Sequence, residues 1–357
     1  MTSLGQGLRG QSPPGREIIP AQMNNGSGPM WSVMIPTFNC AGYLRETLSS
    51  VLAQAPGPDR MQIEVIDDAS TSDDPAVVTA EPGQGRVGFY RQPANVGHAR
   101  NFNTCLRRAR GQLVHVLHGD DAIRPGFYEI LERVLAQHPA AGAAFCRYIS
   151  MDAANTWLSL ARLEQPAAGL VPNWLEKIAT GQRLQAPCMV VRREVYETVG
   201  GFDHRLAYTE DWEMWVRIAV RFPVCYVPEL LALYRVHATS AMAQGQRTGA
   251  AGADFRQALH LIAAHLPPDL ARTATRQARR SFALACIRRV HRVLERQADR
   301  VALIHLREAW RSDRSPEVLL RLGYALARWA VCAAQGAARS AGPRWRPDAD
   351  PHSLPSG

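Results

Sequence analysis

Lysine is all but absent: of the 41 basic residues in the 357-residue chain, only Lys177 is not arginine. Also missing is any run of 18 or more uncharged apolar residues, which excludes a conventional membrane-spanning helix. Residues 1–28 are rich in Gly, Pro, Gln and Ser and lack an apolar core, so they read as a disordered tail and not as a signal peptide. The seven cysteines are scattered, with no CxxC pair, which argues against a zinc site or a disulfide framework and for a reducing, cytoplasmic compartment. The formal charge of +9 suits an anionic partner, either nucleic acid or a membrane face. With no helix-turn-helix, zinc finger or aromatic–basic platform in the sequence, nucleic acid is not expected. No internal repeat is evident.

What is present is enough apolar material, 46% of residues, for a large α/β domain plus an appendage. Residues 31–39 form a short apolar strand, and Leu44, Leu48, Val51 and Leu52 follow at helical spacing. Residues 62–68 make a second strand and 86–91 a third. A helix then runs to Ala109, and a densely apolar strand spans 113–117. Strands this apolar are expected to be buried on both faces of a parallel sheet, and their alternation with helices over 31–138 predicts right-handed βαβ units.

Polar residues then fall with regularity at the strand ends: Thr37 and Asn39 after the first, Asp67 and Asp68 after the second, Asp120 and Asp121 after the fourth. The carboxyl edge of an open α/β sheet is where ligands bind, so these clusters predict a crevice. Adjacent carboxylates such as Asp120 and Asp121 repel unless a cation or hydrogen-bond donors offset them, and a hard divalent ion bridging to phosphate would do so. An Asp pair alone describes a solvated turn equally well. Further on, Asp211 is placed as the N-cap of a helix over 212–220, with Glu210 beside it as a like charge. Trp212 and Trp215 are read as core, and His98 and His115 receive no role. Residues 155–171 read as a loop-rich insert, and 224–227 and 230–234 as two short strands.

Taken in order, SVMIPTFN (32–39), EVIDDAS (64–70), NVGHARN (95–101), LHGDD (117–121), GGFD (200–203), EDWEMWVR (210–217) and YRVH (234–237) resemble the family-2 glycosyltransferases. The resemblance implies a GT-A fold, a Rossmann-like, mostly parallel sheet flanked by helices. It also implies an inverting, metal-dependent transfer of a sugar from a nucleotide-sugar donor, a UDP-sugar being favoured, to a saccharide or lipid-linked acceptor in cell-envelope or surface glycan synthesis. Carried over by position, Thr37, Asn39, Asp68, Asn95, Gly97, Arg100 and Asp120 bind the donor. Asp121, Asp120 and His237 hold Mn²⁺ or Mg²⁺, with Asp121 favoured as the principal ligand, and Asp211 is the catalytic base. The sequence departs from the family's Asp-x-Asp-Asp form in having His118 at the first position.

The expected organisation is a disordered tail at 1–29, a GT-A domain at 30–240, an Ala/Arg/Leu-rich helical appendage at 241–339, and a disordered tail from 340. Helices are expected over 254–266, 270–298, 300–311 and 316–335. The last could lie on a membrane surface, although packing on its neighbours is favoured, and the basic helices offer a peripheral membrane contact. A nucleotidyltransferase or nucleotide-sugar hydrolase is the rival enzyme class, but no Gly-rich phosphate loop follows the first strand. A non-catalytic nucleotide-sugar-binding module of the same fold is the other rival, and it would be expected to have lost the acids that are present here.

Overall fold

A computed structural model describes residues 15–21, 28–83, 85–294 and 299–340. β1 (Trp31–Thr37), α1 (Ala41–Leu52), β2 (Met61–Asp67), α2 (Pro75–Gly83), β3 (Gly88–Arg91), α3 (His98–Arg108) and β4 (Leu113–Val116) alternate along the first part of the chain. There follow β5 (Ala122–Ile123), α4 (Phe127–Gln137), β6 (Ala143–Met151), β7 (Trp157–Leu160), β8 (Gly169–Leu170), α5 (Trp174–Ala179), β9 (Met189–Arg192) and α6 (Arg193–Val199). After these come α7 (Glu210–Arg221), β10 (Val224–Arg235), α8 (Ala241–Thr248) and α9 (Ala250–Ala263). The described chain closes with α10 (Pro268–Leu294), α11 (Asp299–Ser312) and α12 (Pro316–Ser340).

The sheet runs β3-β2-β1-β4-β9-β6-β10-β5, with β7 on β6 and β8 on β10. β3, β2, β1 and β4 are mutually parallel, and the expected βαβ units build that half. The other half is mixed: β10 parallels β6, whereas β9 runs antiparallel between β4 and β6. Strand direction is set by partners distant in sequence, and no local pattern encodes it. The two short strands expected at 224–234 are one strand, β10, with register shifts between Val227 and Ala232. The insert at 155–171 supplies the small strands β7 and β8. α2 was not anticipated; it contains Pro82 and ends on Gly83, both poor helix formers.

Burial follows the periodicities. All seven residues of β1 and of β2 are buried, as are all four of β4, and α1 turns Leu44, Leu48 and Val51 onto the sheet. Each such side chain contributes about 1.5–3 kcal/mol. The polar members of β2 are satisfied in place: Ser32 Oγ donates to Gln62 Oε1 at 2.6 Å, Gln62 Nε2 to Glu64 Oε2 at 2.9 Å, and Arg108 Nε to Glu64 Oε1 at 2.6 Å. Gly111, at the entry to β4, lies where any Cβ would run into the backbone of Trp31 and Ser32. There the chain passes too close for a side chain.

Within the segment expected as an N-terminal tail, residues 15–21 lie along the domain. Ile19 is 1% exposed, and the carbonyls of Gly15, Glu17 and Pro20 accept from His204 N, Gly201 N and Arg193 Nη2. Arg16 stands 3.5 Å from Asp203 and 3.6 Å from Glu213, two fully buried carboxylates that Arg205 and Arg217 also pair. Buried charge requires such partners. The remaining parts of the expected tails, 1–14, 22–27 and 341–357, lie outside the described residues.

The chain forms two compact units, Met1–Ala278 and Arg279–Gly357. α8 and α9 belong to the first, where Asp254 of α9 accepts from Ala207 N, Tyr208 N and Thr209 Oγ1. The second has its own apolar centre, including Ile287, Val290, Leu306, Val318 and Leu322.

Candidate active site

The strand ends are stitched to one another by backbone bonds. Asp68 N donates to the Thr37 carbonyl at 2.9 Å, Gly119 N to the Pro36 carbonyl at 3.0 Å, and Gln92 N to the Asp67 carbonyl at 2.8 Å. Three of the four described non-glycine residues with positive φ lie in the loops around this edge: Asn39 (50°), Ala69 (58°) and Asn155 (63°). Left-handed backbone is costly for a residue with a Cβ, and it is held where the surroundings fix it.

The expected donor residues form two corners. At the first, Thr37 Oγ1 is 2.8 Å from Cys40 Sγ, and Asn39 Oδ1 accepts from Thr71 N and Ser72 N at 2.8 and 3.0 Å. The side chain of Asn39 therefore shapes the 70–72 turn. Burial, followed by the charge of Asp120, pushes the Cys40 thiol up to about 12, so it is a neutral packing group and no nucleophile. At the second corner, Asp68 accepts from Val96 N (2.8 Å) and Gly97 N (3.0 Å), and Asn95 Nδ2 donates back to the Asp68 carbonyl at 3.2 Å. Gly97 has φ +83°, which suits glycine, and starts α3; Arg100 is exposed on its first turn. Asp68, Asn95 and Gly97 are thus one interlocked unit. Burial raises the Asp68 carboxyl above its ordinary value against the two backbone donors.

The Asp pair is the most constrained part of the edge. Thr47 of α1 donates to the carbonyls of Gly119 (3.1 Å) and Asp121 (2.6 Å), fixing the loop from behind. Asp121 is 1% exposed; its Oδ1 accepts Arg235 N at 2.8 Å, and its Oδ2 is buried with no hydrogen-bond partner. Asp120 Oδ2 lies 2.9 Å from His237 Nε2, whose Nδ1 lies 2.8 Å from Thr239 Oγ1. His118 Nδ1 is 3.7 Å from Asp121 Oδ2, and its Nε2 is likewise buried without a partner. Burial lowers His118 to about 4, so the ring is neutral and free to offer a lone pair. Asp121 is raised well above the usual range by burial and by the charge of Asp120. At Asp120 burial acts upward, but the His237 hydrogen bond and the two nearby imidazoles outweigh it and hold the carboxyl low.

His118, Asp120 and Asp121 can each supply one ligand atom, all within 4.8 Å of one another. One nitrogen and two oxygens, two of the side chains with buried unpartnered atoms, fit a divalent cation. His118, the departure from the Asp-x-Asp-Asp form, belongs to this group; His237 touches it through Asp120.

Arg235, unremarked in the sequence beyond its place in YRVH, is the hub. Its guanidinium donates to the Asp120 carbonyl (Nε, 2.8 Å), the Asp152 carbonyl (Nη1, 3.2 Å), Asn155 Oδ1 and Glu46 Oε2 (Nη2, 2.7 Å), and it lies 4.7 Å above the Tyr43 ring.

Asp211 approaches from α7. That helix begins at Glu210 and its N-cap is Thr209, so Asp211 is not the cap expected from sequence. The Thr209 hydroxyl donates to Asp254 and makes no side-chain cap bond, and Asp211 stands two residues further in. Its Oδ1 accepts Trp212 N at 2.7 Å, and its Oδ2 accepts Gln182 Nε2 at 2.7 Å. Burial, then repulsion from Glu210, raises the Asp211 carboxyl well above its ordinary value. Glu210 is raised by burial as well, with His98 Nδ1 3.9 Å from Oε1 and with Oε2 unpartnered. The Tyr234 phenol is raised by burial and then by the charges of Asp121, Asp120 and Asp211. Trp212 and Trp215 are 1% and 2% exposed, core residues as expected. His115, pushed down to about 3 by burial, lies 3.0 Å from the Pro187 carbonyl, away from this group.

With this geometry in view, comparison with known proteins gives a consistent result. The sequence model described as glycosyl transferase family 2 matches residues 32–200. An uncharacterised protein of Mycobacterium tuberculosis is 29% identical over 271 residues, covering 70% of this chain and 81% of that one. Among solved structures, Staphylococcus aureus TarS (residues 1–349) in complex with UDP-GlcNAc superposes with a TM-score of 0.57 at 16% identity, covering 88% of this chain and 93% of that one. The mannosyltransferase PcManGT of Pyrobaculum calidifontis, in complex with GDP-Man and Mn²⁺, gives 0.54 at 21% identity, covering 88% and 84%. At these identities the superpositions speak for the fold alone. They agree with the expected GT-A architecture, a central sheet flanked by helices.

Proposed function

The chain is a family-2 glycosyltransferase through its residues 32–200, and from that premise we propose that it moves a sugar, with inversion, from a nucleotide-diphosphate sugar to an acceptor hydroxyl. The observation that carries the reading is the cluster of His118, Asp120 and Asp121 just past the end of β4, with one ligand atom from each within 4.8 Å of the others. In this reading Asp211 serves the acceptor, and Asp120 and Asp121 serve the diphosphate. Asp211 takes the proton of the acceptor hydroxyl as its oxygen attacks the anomeric carbon. The bond from that carbon to the diphosphate oxygen breaks, and the nucleoside diphosphate leaves with its electron pair. Attack opposite the leaving group inverts the centre.

Each side chain has a part in this. Gln182 and Trp212 N fix both oxygens of Asp211, so the base meets the hydroxyl in one orientation. Thr37, Asn39, Asp68, Asn95, Gly97 and Arg100 would bind the donor, with Asp68 accepting from its nucleobase. His118, Asp120 and Asp121 would hold the divalent ion, Mn²⁺ or Mg²⁺, and His237 orients Asp120. Such an ion would offset charge on the leaving diphosphate. The favoured donor is a UDP-sugar, and TarS was solved with UDP-GlcNAc. An acceptor in cell-envelope glycan synthesis, saccharide or lipid-linked, suits the exposed Trp157, Leu158, Leu160 and Leu163 on and after β7. Seven unpaired cysteines support a reducing, cytoplasmic setting.

The test follows the nucleotide. Incubation with UDP-GlcNAc and Mn²⁺ is expected to release UDP, and chelation with EDTA to stop the release. Appearance of UMP with the sugar 1-phosphate would favour the hydrolase alternative, and UTP formed on adding pyrophosphate would favour the nucleotidyltransferase, since a different bond would have been cut.

A further inference from the structure

Between residues 279 and 357 the sequence carries fifteen arginines and seven carboxylates, a net of +8 out of the chain's +9. The catalytic unit is therefore close to neutral, and the second unit holds almost all the excess charge. Within that unit α12 packs Val318, Leu322 and Ala325 into the apolar centre, with Trp329 and Cys332 against it. Those positions make one face of the helix. The opposite face is apolar too: Leu320, Tyr324 and Val331, spaced four and seven residues apart, are 77%, 63% and 56% exposed. Arg321 and Arg328 run alongside that stripe at the same spacing. A surface helix normally turns its polar residues outward, and one that is apolar on both faces wants a second partner.

We propose that this face of α12 docks on an anionic lipid surface, the apolar stripe entering the headgroup boundary while the arginines meet lipid phosphates. The charge decides between the candidate occupants. A second copy of the chain would bring another +8 unit against the first, which repels. An anionic bilayer attracts the same charge, and an amphipathic helix with basic flanks is the form such binding takes. Neither α12 nor any other described helix is long and apolar enough to cross a membrane, so the contact is peripheral. Docking would hold the enzyme at the surface where an amphiphilic acceptor resides.

The full-length protein, mixed with vesicles of phosphatidylcholine alone or of phosphatidylcholine with phosphatidylglycerol, distinguishes the possibilities by flotation. Binding to the anionic vesicles at least about tenfold tighter than to the neutral ones is expected. The double variant Leu320→Glu, Tyr324→Glu should lose about tenfold or more of that binding while keeping its helix content and its UDP binding. Those side chains are exposed, so the fold is not at stake, and Leu320→Ser with Tyr324→Ser gives the same direction without added charge. Equal binding to both vesicle types, unchanged binding by the variants, or a dimer in light scattering that the variants dissociate would each overturn the proposal. None of these readouts requires sugar transfer, so they stand apart from the catalytic reading.

Discussion

Asp211→Asn is expected to lower sugar transfer by about 10³-fold and to leave UDP affinity within about twofold. The amide keeps the shape of the carboxyl but cannot accept the acceptor's proton. As the proposed base, the same residue is expected to set the pH profile. Its carboxyl is raised by burial and by Glu210, so the working, ionised form accumulates only above the ordinary Asp value of about 3.9. The rate therefore rises with pH along a limb displaced upward from that value. Removing the like charge with Glu210→Gln should move this limb to lower pH, because the proton on Asp211 is then held less firmly. Initial rates across a pH series for the wild type and both variants check the argument. A full-rate Asp211→Asn would assign the base elsewhere.

Arg235→Met should lower stability by about 3 kcal/mol and weaken metal-dependent UDP binding by about tenfold or more. The guanidinium is buried and joins three parts of the chain: the 120–121 loop, α1 through Glu46 and the Tyr43 ring, and Asp152 and Asn155 beyond β6. Its loss strands two backbone carbonyls and frees the loop that presents Asp120 and Asp121. Arg235→Lys should recover little, since one ammonium cannot reach acceptors that lie in several directions. Thermal midpoint and UDP affinity, measured together, would fall together. If stability falls while affinity holds, Arg235 stabilises the fold without positioning the site.

The fold was legible where a local pattern has a single physical outcome. Dense apolar runs at 31–36, 62–66 and 113–117 could only be buried strands, and Leu44, Leu48 and Val51 could only face a sheet. Polar residues at the ends of those strands mark the sheet edge that backbone bonds stitch together. What sequence could not carry were relations across long separations. The antiparallel entry of β9 depends on β4 and β6 and not on Met189–Arg192 themselves. Gln182 reaches Asp211 across 29 positions from a stretch with no motif of its own. From sequence His118 counts only as a missing carboxylate, although a buried neutral imidazole can itself offer a lone pair to a metal. Arg235 sat in a motif whose histidine drew the notice; only the folded chain shows one guanidinium satisfying both a loop and a helix. Asp211 was placed on the right helix with the wrong local reason, since Thr209 takes the cap position and Asp254 occupies its hydroxyl.

The proposed transfer requires that His118, Asp120 and Asp121 hold a divalent ion that a nucleoside diphosphate needs. Isothermal titration of the full-length protein with UDP, GDP, dTDP and CDP, each with and without Mn²⁺, tests this most directly. One diphosphate, UDP by this reading, should bind with Mn²⁺ and lose at least about tenfold in affinity both without it and in Asp121→Asn. Binding that is indifferent to Mn²⁺ and to Asp121→Asn, or no binding of any of the four, would contradict it.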